Sequence, residues 1–217
     1  VCVTGLIVVD TGSHFSTFGQ TVILVLIQIG GLGVMTLSVL FFRALGRRIF
    51  IHQRMAVQDM FSHTPQQDIF RIVKSIIIIT IAAEAIGTSL LTLHWMQEFS
   101  FQKAFYTALF HSVSAFCNAG FSLFSDSFVG YNDSYLLNIT VCSLIVTGGI
   151  GFYVLYELQK WLKLRKKKRF RFSVQTKAVL LTTVILIISG TVLFWLLERQ
   201  ELLAGKSMCY QILVSIF

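Results

Sequence analysis

From Ala104 to Phe116 the chain carries no Asp, Glu, Lys or Arg, yet this stretch is too short to cross a bilayer. As a helix at 1.5 Å per residue it reaches about 20 Å, against a hydrocarbon core of about 30 Å. The charges on either side decide what it does. One basic cluster holds Arg43, Arg47, Arg48 and Arg54, with no acidic residue among them. A second runs from Lys160 to Lys177 and contains Arg165-Lys166-Lys167-Lys168-Arg169 and Arg171. Loops rich in Lys and Arg stay on the cytoplasmic side. Two long charge-poor stretches separate the clusters, roughly Ile72 to Leu93 and Tyr135 to Tyr156. Two crossings return the chain to the same side, and a third would not. Ala104 to Phe116 is therefore expected to enter and leave by one face. Irregular backbone at membrane depth is tolerated where protein buries it or where it lines a watery path. The residues that follow, Cys117-Asn118-Ala119-Gly120-Phe121, become the candidate site.

Composition agrees with a membrane setting. Hydrophobic residues are 55% of the chain and charged residues 13%, where a soluble domain carries about 25% charge. The net charge of +8 sits in the two basic clusters between apolar spans, which argues against a nucleic-acid partner. Cys2, Cys117, Cys142 and Cys209 show no close pairing, so buried free thiols are expected rather than a zinc site or disulfides. No paired carboxylates, nucleophile–base pair or metal-ligand spacing stands out, and no enzyme is expected. The sequence has no starting Met and opens inside a motif, as an internal piece of a longer polypeptide would.

The site has a likeness at the start of the chain. Cys2-Val3-Thr4-Gly5-Leu6 shares its pattern of Cys, two residues, Gly and a bulky apolar residue. Each stretch is followed by an acidic residue, Asp10 or Asp126. Each then meets a charge-free span holding Gly-Gly-x-Gly, beginning at Gly30 or Gly148, and each span ends in a basic loop. Features recurring in order mark an internal repeat. The unit is an outer span, a re-entrant half-helix, a glycine turn and an inner span. The expected fold is all-α and membrane-embedded, built from such span–pore helix–span units as in a K+ channel.

Residues 1–45 are expected to hold the turn and inner span of a first unit, and 46–71 a cytoplasmic loop. Residues 72–158 make a complete second unit, with pore helix 104–116, turn 117–121 and inner span 135–157. Residues 159–177 form the basic cytoplasmic loop. Residues 178–217 open a third unit. Loops 43–71 and 158–177 are cytoplasmic on this scheme, and the turns face outside.

Several units around an axis enclose a pore. Half-helix C-termini aimed at its centre supply partial negative charge where a cation sits. Main-chain carbonyls of the turns can replace a cation's water shell. Alternating such carbonyls forces dihedrals that a Cβ opposes, hence glycine.

Val3-Thr4-Gly5-Leu6, Val8-Val9-Asp10-Thr11, Gln28-Ile29-Gly30-Gly31-Leu32-Gly33, Ser114-Ala115-Phe116-Cys117-Asn118-Ala119-Gly120-Phe121 and Gly148-Gly149-Ile150-Gly151-Phe152 closely resemble the motifs of the Trk/Ktr/HKT superfamily of potassium transporters. Within it they look most like the bacterial Ktr-type membrane subunit. The resemblance implies four fused units around a pseudo-fourfold pore with one filter glycine per unit, here Gly5 and Gly120. The filter residues it implies are Val3, Thr4, Gly5, Leu6 and Cys117 to Phe121. K+ would be held by the backbone of Thr4, Gly5, Asn118, Ala119 and Gly120. A glycine in the first quarter goes with potassium in this superfamily and a serine with sodium, so Gly5 points to K+. Also implied are a homodimer in the cell membrane, a cytosolic ring of nucleotide-binding (RCK/KTN-type) regulatory subunits that gates it, and Na+ as the candidate coupling ion. No bound cofactor is implied.

Other features have plainer roles. The side chains of Thr4 and Asn118 are expected to brace the turns. Gly-Gly-x-Gly is a packing or bending device, since no Lys-Ser/Thr follows it as in a phosphate-binding loop. Glu84, costly at mid-membrane, is expected to hydrogen-bond the back of the half-helix or the glycine turn. His111 is expected to be packed and hydrogen-bonded. The run Arg165 to Arg171 is suited to anionic lipid head groups. Two other functions stay open. One is a sodium or mixed-cation transporter of the same superfamily. The other is a non-conducting accessory membrane subunit of an ion-pumping ATPase.

Overall fold

The computed structural model of the protein describes residues 5, 7–33, 66–164, 172–203 and 205–217. The basic residues Arg43 to Arg54 and Arg165 to Arg171 lie outside the described residues, as do Val3, Thr4 and Leu6. Among the described residues every regular element is helical.

The helices in chain order are α1 Thr11–His14, α2 Thr17–Leu32, α3 Gln66–Trp95, α4 Phe101–Phe116, α5 Tyr135–Gly149, α6 Phe152–Leu164, α7 Val174–Glu198 and α8 Met208–Ile216. A single 3₁₀ turn, Val129–Tyr131, interrupts the loop before α5. Serines start most of these helices. Ser16, Ser134, Ser173 and Ser207 each accept a hydrogen bond from an N–H of the first turn, satisfying one of the donors a helix leaves orphaned there. Among the described residues two helices are long and apolar enough to cross a membrane, Ile72–Trp95 within α3 and α7, with mean hydropathy of 2.1 and 2.4. The bent pair α5–α6 makes a third if counted as one span.

α3, α4 and α5 pack on one another, α2 lies against α4, and α8 rests on α7 and α5. One core cluster gathers Leu91 and Trp95 of α3, Ala104 and Ala108 of α4, and Leu137 and Val141 of α5. A second joins Ile27 of α2 to Phe110 and Val113 of α4 and to Ala119. α4 is thus enclosed on several sides, as an apolar helix too short to span must be to keep its ends out of lipid. α7 is the opposite case. Among the described residues none of its most apolar stretch is buried, where 39% of that of α3 is.

The apolar run 135–157 is not one straight helix. α5 stops at Gly149, α6 starts at Phe152, and the two axes meet at 103°. The physical reason lies at Gly151, whose φ is +90°. L-residues with a Cβ avoid that region, and glycine does not. Of the two roles open to Gly-Gly-x-Gly, its last glycine takes bending. The half-helix begins three residues before the expected Ala104, at Phe101 behind Ser100. Cys209 is exposed, unlike the buried thiol expected there, because it faces outward on the first turn of α8.

No heavy atom of the described residues comes within 4 Å of a Cβ built on Gly151, so a substitution there tests backbone strain. Gly151→Val should destabilise the full-length protein by about 1–2 kcal/mol, and Gly151→Asn by less, because Asn tolerates positive φ. Thermal unfolding in detergent reads the order. Equal stability of the two variants would show that the bend does not depend on this dihedral.

Candidate functional site

The site is built on the C-terminal end of α4. Its last turn hands its carbonyls to the residues that follow. Cys117 N donates to Val113 O at 2.9 Å, Asn118 N to Ala115 O at 3.1 Å, and Ala119 N to Ser114 O at 2.8 Å. Ser114 closes the far end of the turn. Its hydroxyl accepts from Phe121 N at 3.0 Å and donates to Phe121 O at 2.7 Å. Residues 117–121 are thereby clipped to the helix at both ends, with their N–H groups drawn back toward α4. The chain reverses through Asn118, φ +50°, and Gly120, φ +72°. Asn is among the few residues with a Cβ that accept this region. The Asn118 amide also donates to Phe116 O and to Ile145 O of α5, each at 3.4 Å, so the side chain braces the turn.

Gly5 comes to the same place from the start of the chain. Its φ is +58°. A Cβ on Gly5 would stand 2.8 Å from both the Cα and the carbonyl oxygen of Gly120. The two glycines that sequence similarity pairs are thus in contact, main chain against main chain. Gly12 makes a parallel approach just beyond, where a Cβ would fall 1.9 Å from Leu123 O. Of the residues expected at the site, Gly5 and Cys117 to Phe121 are brought together. Val3, Thr4 and Leu6 cannot be placed, lying outside the described residues.

The Gly-Gly-x-Gly elements support the turn from behind. A Cβ on Gly31 would sit 2.2 Å from Cys117 Sγ, and one on Gly148 would sit 1.7 Å from Phe116 O. Both inner helices therefore press a bare glycine on the junction of half-helix and turn. Beside the turn a cleft of about 330 Å³ opens between Asn118, Gly120, α5 at Val141 and Ile145, and Phe217.

His111 holds the loop beyond the turn. Nε2 accepts from Leu123 N at 3.2 Å and lies 3.0 Å from Ser122 Oγ, while Nδ1 faces Thr107 O at 2.8 Å. This network assigns the proton to Nδ1, leaving a neutral ring that is fully engaged. Trp95, Phe124 and Phe128 surround it. Outside the spans, Tyr131 donates to Glu98 Oε2 at 2.8 Å. Burial, reinforced by that carboxylate, pushes its phenol up to about 12. The expectation for Glu84 needs correcting in part. Only its main-chain oxygen bonds the half-helix, accepting from Ser112 Oγ at 2.9 Å. Its carboxyl bonds the Gln28 side chain of α2 instead. Sequence reasoning missed Ser112 and Ser114 as braces. A hydroxyl inside an otherwise apolar half-helix was the available signal.

Such a site, glycine turns meeting on the end of a buried half-helix, belongs to membrane proteins that handle ions. The chain is a member of the TrkH family of cation transport proteins, whose family model matches residues 1–212. It is 42% identical over 201 residues to Ktr system potassium uptake protein B of Vibrio alginolyticus, covering 93% of this chain and 44% of that protein. It is 39% identical over 200 residues to the protein of the same description in Bacillus subtilis, covering 92% of this chain and 44% of that one. It is also 31% identical over 217 residues to potassium/sodium uptake protein NtpJ of Enterococcus hirae, covering 100% of this chain and 47% of that protein. The chain spans about half the length of these relatives. The family is one of transport proteins and not of enzymes.

Gly148 and its neighbour Gly149 separate packing from propensity. Among the described residues a Cβ on Gly149 meets nothing closer than Asn118 Nδ2 at 3.7 Å, an ordinary contact. Gly149→Ala should leave thermal stability unchanged or slightly raised, since Ala favours helix by about 1 kcal/mol. Gly148→Ala should lower it by about 1–3 kcal/mol, the cost of overpacking against main chain that cannot move aside. Similar stabilities for the two variants would contradict this placement of α5 behind the turn.

Proposed function

We propose that this chain is part of the pore-forming membrane subunit of a potassium uptake system. K+ passes inward through a filter of main-chain carbonyls, with one glycine per repeat. The observation that carries the proposal is the contact of Gly5 with Gly120, each at positive φ. Two turns related by sequence converge at one point, the later of them on the end of a half-helix. Carbonyls of Thr4, Gly5, Asn118, Ala119 and Gly120 are the groups proposed to hold the ion. Val3, Leu6, Cys117 and Phe121 complete the two turns. The C-terminus of α4 adds partial negative charge nearby. Desolvating a cation requires such replacement oxygens, and clipping the turn's N–H groups to α4 leaves its oxygens for that task.

In this proposal the residues divide as expected from the repeat, with 72–158 a complete unit between parts of two others. The relatives' greater length has room for further units, giving four around a pseudo-fourfold axis. The subunit sits in the cell membrane with its basic loops in the cytoplasm, where Arg165 to Arg171 meets anionic lipid. It forms a homodimer gated by a cytosolic nucleotide-binding ring. The description of two relatives as protein B of a Ktr system fits an assembly of several components.

A second substrate reading draws on the Enterococcus relative, described as a potassium/sodium uptake protein. On that reading Na+ is a coupling ion or a permeant one.

Tracer uptake in potassium-free and sodium-free media tests both substrates in the full-length protein. Wild type should take up K+ and its analogue Rb+ in preference to Na+. Gly120→Ser, at matched membrane abundance, should lower that preference by about tenfold or more, a loss of 1.4 kcal/mol of discrimination. Strict Na+ selectivity in wild type would overturn the substrate. Unchanged uptake and selectivity in the variant would favour a non-conducting accessory subunit.

A further inference from the structure

Behind the site lies a buried polar pair that the filter itself does not use. Glu84 of α3 is buried and its carboxyl shares a hydrogen bond with the Gln28 side chain of α2. One oxygen on each partner, Glu84 Oε1 and Gln28 Oε1, is buried with no hydrogen-bond partner among the described residues. Both oxygens are acceptors if Glu84 is ionised, so neither can satisfy the other. No cation compensates the carboxylate from the described residues, and Gln28 is its sole hydrogen-bonding side chain. Among the described groups, α4 contributes the Ser112 hydroxyl, already bonded to Glu84 O, and the turn contributes the Cys117 thiol. An unpaired charge here is expensive, and two orphaned acceptors add to the cost.

A single proton removes every one of these defects. We infer that Glu84 is a proton-binding site, holding its proton at neutral pH and donating it to Gln28 Oε1 while the Gln28 amide donates to the other carboxyl oxygen. Acid and amide then form a closed pair with two hydrogen bonds and no net charge. The pair is a latch between α2 and α3. Gly31, three residues on from Gln28 and on the same helix face, is the residue pressed on Cys117 Sγ. Fixing Gln28 therefore fixes how α2 bears on the first residue of the turn. Glu84 is a positioning residue for the filter, and this last step rests on the function proposed above.

The test uses the full-length protein in lipid vesicles and has two readouts. Infrared spectra at neutral pH should show the carbonyl band of a protonated carboxylic acid that is absent from Glu84→Gln. This readout does not depend on transport. In Rb+ uptake, Glu84→Gln should stay within about twofold of wild type, because an amide at position 84 can still close a two-bond pair with Gln28. Glu84→Ala should fall by about tenfold, the scale set by orphaning one buried hydrogen-bonding group. If Glu84→Gln removes no carboxylic acid band, the proton is not there and the inference fails whatever the uptake. If the band is lost but Glu84→Gln is as impaired as Glu84→Ala, the latch role fails. Absence of uptake in wild type would instead count against the proposed function and leave the infrared result to decide the proton.

Discussion

In hydrocarbon, a main chain that leaves the helix must find all its hydrogen-bond partners inside the protein, and everything around residues 117–121 answers that demand. Four N–H groups of the turn go back to α4 by way of Val113, Ala115 and Ser114. Asn118 spends its amide on Phe116 and on Ile145 of α5. His111 takes up the N–H of Leu123 where the loop departs. The donors are consumed inward, so if the turn is the filter proposed above, an arriving cation would meet carbonyl oxygens on a main chain already held in place. Preorganisation of this sort is what allows a filter to strip water without rearranging.

Glycine at selected points allows these parts to approach so closely. Gly31 and Gly148, each from a Gly-Gly-x-Gly element, press on adjacent residues, Cys117 and Phe116. Gly5 and Gly120 touch through main chain. Gly87 likewise brings α3 against Ser112 of α4 and Leu144 of α5. Small residues replace the hydrophobic effect as the means of association where lipid is as apolar as the side chains. The exposed apolar face of α7 shows what a helix looks like in this chain without such contacts.

The half-helix was legible because two independent quantities, its length and the charges beyond its neighbours, gave one answer. The meeting of Gly5 with Gly120 was legible only as a repeat, since neither stretch alone differs from an ordinary Gly turn. The 103° break between α5 and α6 was not legible. Tyr135 to Tyr156 is charge-free throughout, and hydropathy is blind to a dihedral at Gly151. The partner of Glu84 was also out of reach. Gln28 is far away in sequence, and only the tertiary fold brings its amide to the acid. Serines at 112 and 114 looked like tolerated small residues, and their role appeared once the turn folded back on them.

The central claim is that the Gly5 and Gly120 turns together bind the transported ion. Diffraction from crystals of the full-length protein soaked with thallium or rubidium tests it most directly, because anomalous scattering locates the ion without reference to the chain. The account predicts an ion peak in contact with the main-chain oxygens of Gly5 and Gly120. Ion density confined to other parts of the molecule, with those oxygens unoccupied, would contradict it.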